Sequence, residues 1–153
     1  MDIGALPGII ITGIISGAVA TAVMTLFLEA VTRSGLAHAD MVKAIGSMVT
    51  KSAHNAFKTG IIIHFAWGIF FGVCYTFILA MFNIHMIAYT TAVGASIGFV
   101  HGFAVSLMLV VVVAEHHPLE KYRNPGIQVA VAHFVAHVLY GLVVGIMVGL
   151  VGY

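Results

Sequence analysis

The sequence predicts an all-α polytopic membrane protein, a bundle of four transmembrane helices with a short amphipathic interfacial helix after the first span. Three observations predict it. Charged residues make up 7% of the chain and apolar residues 61%, whereas a soluble domain carries charge at about a quarter of its positions. The mean hydropathy is +1.13. Four runs with little or no charge, about Leu6 to Thr32, Gly60 to Phe82, Met86 to Ala114 and Gly126 to Tyr153, each exceed the roughly 20 residues that cross about 30 Å of hydrocarbon. Residues 1–153 read as a single four-helix transmembrane domain.

The first span opens after Met1-Asp2 with no basic residue before it, and a cleaved secretion signal normally begins with positive charge, so this span reads as a retained helix. The six basic residues fall at two connections. Arg33, Lys43, Lys51 and Lys58 surround the segment 33–59, and Lys121 and Arg123 lie in 115–125. The positive-inside rule places those two connections in the cytoplasm, and both termini and the short turn Asn83 to His85 outside.

Within the first connection, Asp40 stands at an N-cap position. Met41, Ala44, Ile45, Met48 and Val49 then recur at helical spacing opposite Lys43, Ser47, Thr50 and Lys51. This predicts a short helix in the cytoplasmic interface with its apolar face down. In the last connection, Pro118 stops the third span and Pro125 suits the start of the fourth. His116 and His117 read there as solvated loop residues, with metal capture at the cytoplasmic mouth as the alternative.

Small residues recur at four-residue steps in all four spans: Gly13, Gly17 and Thr21; Gly60, Gly68 and Gly72, with His64 at the step between the first two; Gly94, Gly98 and Gly102; Gly141, Gly145 and Gly149. Neighbours four apart lie one above the other on a helix, and such ribbons let helices approach closely. An internal repeat also shows. His64-Phe65 before Gly72 matches His133-Phe134 before Gly141, while a second register pairs His64 with His137. Spans one and two would then correspond to spans three and four about an axis along the membrane normal.

Nine histidines occur, and His64, His101, His133 and His137 fall well inside the predicted spans. At 1.5 Å per residue, His64 and His133 come out about 6 to 10 Å from the cytoplasmic boundary, and His101 and His137 roughly 17 to 20 Å. Neutral imidazole ligates transition metals, and two imidazoles can hold a haem iron from both sides. His101 and His137, on consecutive antiparallel helices, therefore form the candidate pair for haem b, and Glu29, His64 and His133 a candidate site for a transition-metal ion. The competing reading is that each imidazole only hydrogen-bonds within the bundle. Glu29 pairs most simply with Arg33, one turn on. A proton-relay role for Glu29 is the lesser alternative. Cys74, the single cysteine, reads as a packing residue and excludes an internal disulfide.

No phosphate loop, nucleophile elbow or helical zinc-protease motif is present, so no catalytic residue is assigned. Nor does the chain carry a basic-aromatic surface for nucleic acid. The partners expected are the lipid bilayer and either other membrane subunits or further copies of the chain.

The stretches Gly17 to Thr25, Asp40-Met41 ahead of Gly46, His64 to Tyr75 and His137 to Gly145 together resemble a widespread group of prokaryotic four-span membrane proteins. That resemblance implies the four-span architecture and a prokaryotic cytoplasmic membrane; it implies no activity. The function expected is that of a small accessory subunit of a larger membrane assembly, such as a redox or energy-converting complex, whose histidines hold a haem or metal. The alternatives are a homo-oligomeric metal-ion or proton transporter or channel, and a purely structural or assembly protein.

Overall fold

A computed structural model of the protein describes residues 6–83 and 86–152. Helices α1 (Leu6–Arg33), α3 (Ala56–Met81), α4 (Ile87–His116) and α5 (Ile127–Val151) are each long and apolar enough to cross a bilayer, and α2 (Met41–Thr50) is shorter. The protein is thus an all-α, four-span integral membrane protein. Met1, Asp2, Ile84 and His85 lie outside the described residues, and with them the readings of the amino terminus and most of the turn 83–85.

The helices are arranged as two pairs. α1 packs along α3, and α4 along α5, while α1 and α5 join the pairs across the middle. Missing side chains make both pairings possible. A Cβ at Gly72 would stand 2.5 Å from Gly13 O and press on Gly17 Cα, and one at Gly141 would run into Gly94 O and stand 3.0 Å from Gly98 Cα. Gly13, Gly17 and Gly72 therefore occupy in the first pair the places that Gly94, Gly98 and Gly141 occupy in the second. This correspondence decides between the two repeat registers: it aligns His64 with His133, and His137 falls opposite Gly68. The central core fills the space between pairs with Ala20, Met24, Leu28, Tyr75, Ala136, Tyr140 and Val144.

α2 is present as expected, but its packing face differs. Val42, Gly46 and Ser47 are buried, whereas Val49 is exposed. The cause is Gly46: with no Cβ there, the backbone of α2 seats directly on Ala56 O and the Gly60 amide of α3. Lys51 and Asn55 adopt left-handed φ values of 51° and 58°, which turn the chain sharply between α2 and α3. Asp40 is the N-cap residue of α2 and its carbonyl accepts from the Ala44 amide at 3.0 Å, but its side chain makes no capping bond; Oδ2 instead accepts from Lys43 Nζ at 3.0 Å and holds that ammonium's pKa above its ordinary value.

α4 continues beyond Met108 through a π-helical turn, Leu109–Val113, and ends at His116. His117 is extended, as the residue before a proline prefers. The expectation that His117 is solvated is corrected: its side chain is completely buried. Its Nδ1 accepts from the Leu119 amide at 3.1 Å, and its Nε2 donates to Ala44 O of α2 at 3.1 Å. A loop imidazole can be dry here because both ring nitrogens find backbone partners. His116 is exposed, its Nδ1 on Val112 O. His117 thus ties the α4–α5 connection to α2.

Candidate functional site

The intramembrane histidines sit where the two helix pairs meet. His133 Nδ1 lies 2.7 Å from Val129 O, and His137 Nδ1 lies 2.7 Å from His133 O. A carbonyl only accepts, so both Nδ1 atoms carry the proton and both Nε2 atoms present a lone pair. His64 has the opposite arrangement. The Thr25 hydroxyl donates its one hydrogen to Thr21 O at 2.7 Å, so it accepts from His64 Nε2 at 3.1 Å, and the lone pair of His64 is on Nδ1. His101 Nδ1 shares a 2.9 Å hydrogen bond with Tyr75 Oη, and Tyr140 Oη donates to Gly68 O at 2.5 Å.

The candidate haem pair is brought together: the rings of His101 and His137 are 4.8 Å apart between centroids at 68°, in edge contact, with Phe71 packed on His101 at 4.4 Å. A porphyrin between them requires the rings to separate, while the Tyr75 hydroxyl, bonded at His101 Nδ1, leaves the Nε2 of that ring free. The candidate metal set, Glu29 with His64 and His133, is not drawn into one cluster. Glu29 Oε1 accepts from Arg33 Nε at 2.7 Å on an exposed face, and among the described residues no group of three or more His, Cys, Asp or Glu is placed to hold a metal ion.

Instead, His64, His101 and His137 wall one cavity of about 490 Å³ together with Met24, Met41, Met108, Trp67 and Tyr140. It lies on the side where α3 and α4, consecutive in sequence, pack only marginally. The half-exposed Trp67 of α3 is among its lining residues. His133 belongs elsewhere, to a second cavity of about 560 Å³ formed by α2, the far end of α4 and the start of α5. Met41, Ile45, Val105 and Met108 line both, so the two spaces share a wall.

Thr25 and Tyr75, whose hydroxyls bond His64 and His101, and Tyr140, whose hydroxyl bonds Gly68 O, are not among the site residues the sequence singles out. The available signal was that a tyrosine hydroxyl inside an apolar span must find a polar partner. Helix packing and site together define the class: a four-span membrane protein with a histidine-lined cavity inside the bundle. No family model, curated protein or solved structure matches the chain.

Proposed function

We propose that the protein is a small accessory subunit of a larger membrane assembly, of redox or energy-converting type, and that its histidine-lined cavity between α3 and α4 takes a small ligand. One observation carries this reading: three imidazoles, two of them with a ring nitrogen left as a lone pair, wall a single cavity in an otherwise apolar bundle. Polar groups are not kept at such depth without partners. A transition-metal ion suits the donors better than haem. His64 Nδ1 and His137 Nε2 are in the form that ligates, and Met24, Met41 and Met108 add soft thioethers, which favour copper(I). The partner subunits have a surface to occupy, since only 11% of the α4 span is buried against 44% of α5. By the positive-inside rule, the end carrying α2 faces the cytoplasm and both chain ends lie outside; the sequence resemblance points to a prokaryotic inner membrane.

Mild extraction followed by elemental analysis, an optical spectrum and identification of co-purifying chains tests this. The reading predicts stoichiometric copper or another transition metal, and companion subunits. A lone monomer free of metal and haem contradicts it.

A second reading, a homo-oligomeric metal-ion or proton conductor, draws on the shared wall of the two cavities, which together run from the α2 end into the bundle. Flux into proteoliposomes that disappears in His137→Ala, without companion chains, selects it over the first.

A further inference from the structure

Two buried side-chain polar atoms lack any hydrogen-bond partner among the described residues: Tyr122 Oη and His133 Nε2. Both residues line the same cavity, the one of about 560 Å³ at the α2 end. An unpaired buried polar group is destabilising, and finding both such groups around one space indicates that the space is meant to be filled. Its volume falls within the roughly 300–1,000 Å³ usual for small-molecule sites.

The walls specify the ligand. They are largely apolar, built from residues such as Ala44, Met48, Leu109 and Val113, and Leu36 stands exposed at the rim. That favours an apolar body arriving from the bilayer. His133 Nε2, with its proton committed on Nδ1, requires a donor. Tyr122 Oη gives or takes a hydrogen bond. An ionised carboxylate has no hydrogen to donate to His133 Nε2, even though the Lys121 ammonium, 4.5 Å over the Tyr122 ring, lines the same cavity. We infer that this cavity binds a neutral membrane amphiphile bearing a free hydroxyl, which donates to His133 and accepts from Tyr122. Glycerides and quinols share that chemistry.

The test uses the full chain in lipid nanodiscs with a photoreactive long-chain alcohol and, separately, its methyl ether at the same mole fraction. Cross-links are mapped by peptide mass spectrometry. The alcohol is expected to label the cavity walls about tenfold more than the ether, one hydrogen bond's discrimination. His133→Leu brings the alcohol down to the ether's level, and the smaller change Tyr122→Phe, which keeps the ring, lowers labelling by alcohol and ether alike, since either oxygen accepts from the phenol; this variant is read should the leucine variant fail to fold. His116→Ala, on an exposed residue, leaves the preference intact. Competition by a diacylglycerol or by a quinol identifies the source of the hydroxyl. Equal labelling by alcohol and ether, a preference untouched in His133→Leu, or labelling untouched in Tyr122→Phe overturns the inference and leaves water as the partner of both atoms.

Discussion

The α1/α3 pair and the α4/α5 pair are built on one backbone plan and diverge at their histidines. In both, glycines remove the side chains at the crossing, and Gly72 meets Gly13 and Gly17 as Gly141 meets Gly94 and Gly98. About two helical turns further, Thr25 of the first pair corresponds to Ser106 of the second. Thr25 accepts from His64, but Ser106 turns its hydroxyl to Ala130 O at 2.9 Å, and His133 Nε2 has no partner. At the place of Gly68 the second pair carries His137, which touches His101. The lesson is that close packing needs only the small residues, so the polar positions beside them are free to differ. The first pair gives its histidine N–H an acceptor on the neighbouring helix, whereas the N–H of His133 turns back to its own helix and its Nε2 is left without a partner.

The largest effects should come from what the pairs share. Alanine at Gly17 or at Gly98 drives a Cβ into a facing carbonyl, Gly68 O or His137 O, and each should cost about 1–3 kcal/mol of overpacking, measured by reversible unfolding in mixed micelles. Sensitivity in only one pair breaks the equivalence. A comparable loss is expected for His117→Ala, which strands the Leu119 amide and empties a fully buried side-chain site, about 1–3 kcal/mol. The neighbouring His116→Ala should stay within about 0.5 kcal/mol.

Smaller effects should come from the divergent hydroxyls. Thr25→Val leaves the His64 N–H unpaired in the bundle and should cost about 0.6–1.7 kcal/mol, the range for hydrogen bonds between membrane helices. Ser106→Ala removes only an extra bond to a carbonyl already within a helix and should cost less; the reverse order would erase the distinction between the pairs. Least of all, Glu29→Gln breaks an exposed pair with Arg33 and should change stability by at most about 0.5 kcal/mol, with no difference left in high salt.

Much of the fold was legible in the sequence because it depends on local quantities. Apolar length located the four spans, and four-residue spacing located the glycine faces and the Glu29–Arg33 pair. What could not be read depends on contacts distant along the chain. The partner of His64 lies 39 positions away and that of His101 lies 26 away. Counting depth alone matched His64 with His133, yet rotation about the helix axes sends His64 to the cavity of His101 and His137. His117 looked solvated because its neighbours are polar; only the arrival of α2 over it makes it dry.

The divergence between the pairs is tested most directly by the side-chain nitrogen-15 NMR spectrum of histidine-labelled protein in nanodiscs at neutral pH. Resonances are assigned with single His→Gln variants. The hydrogen-bond network predicts His64 protonated on Nε2, and His133 and His137 protonated on Nδ1. One common tautomer for His64 and His133 would contradict it.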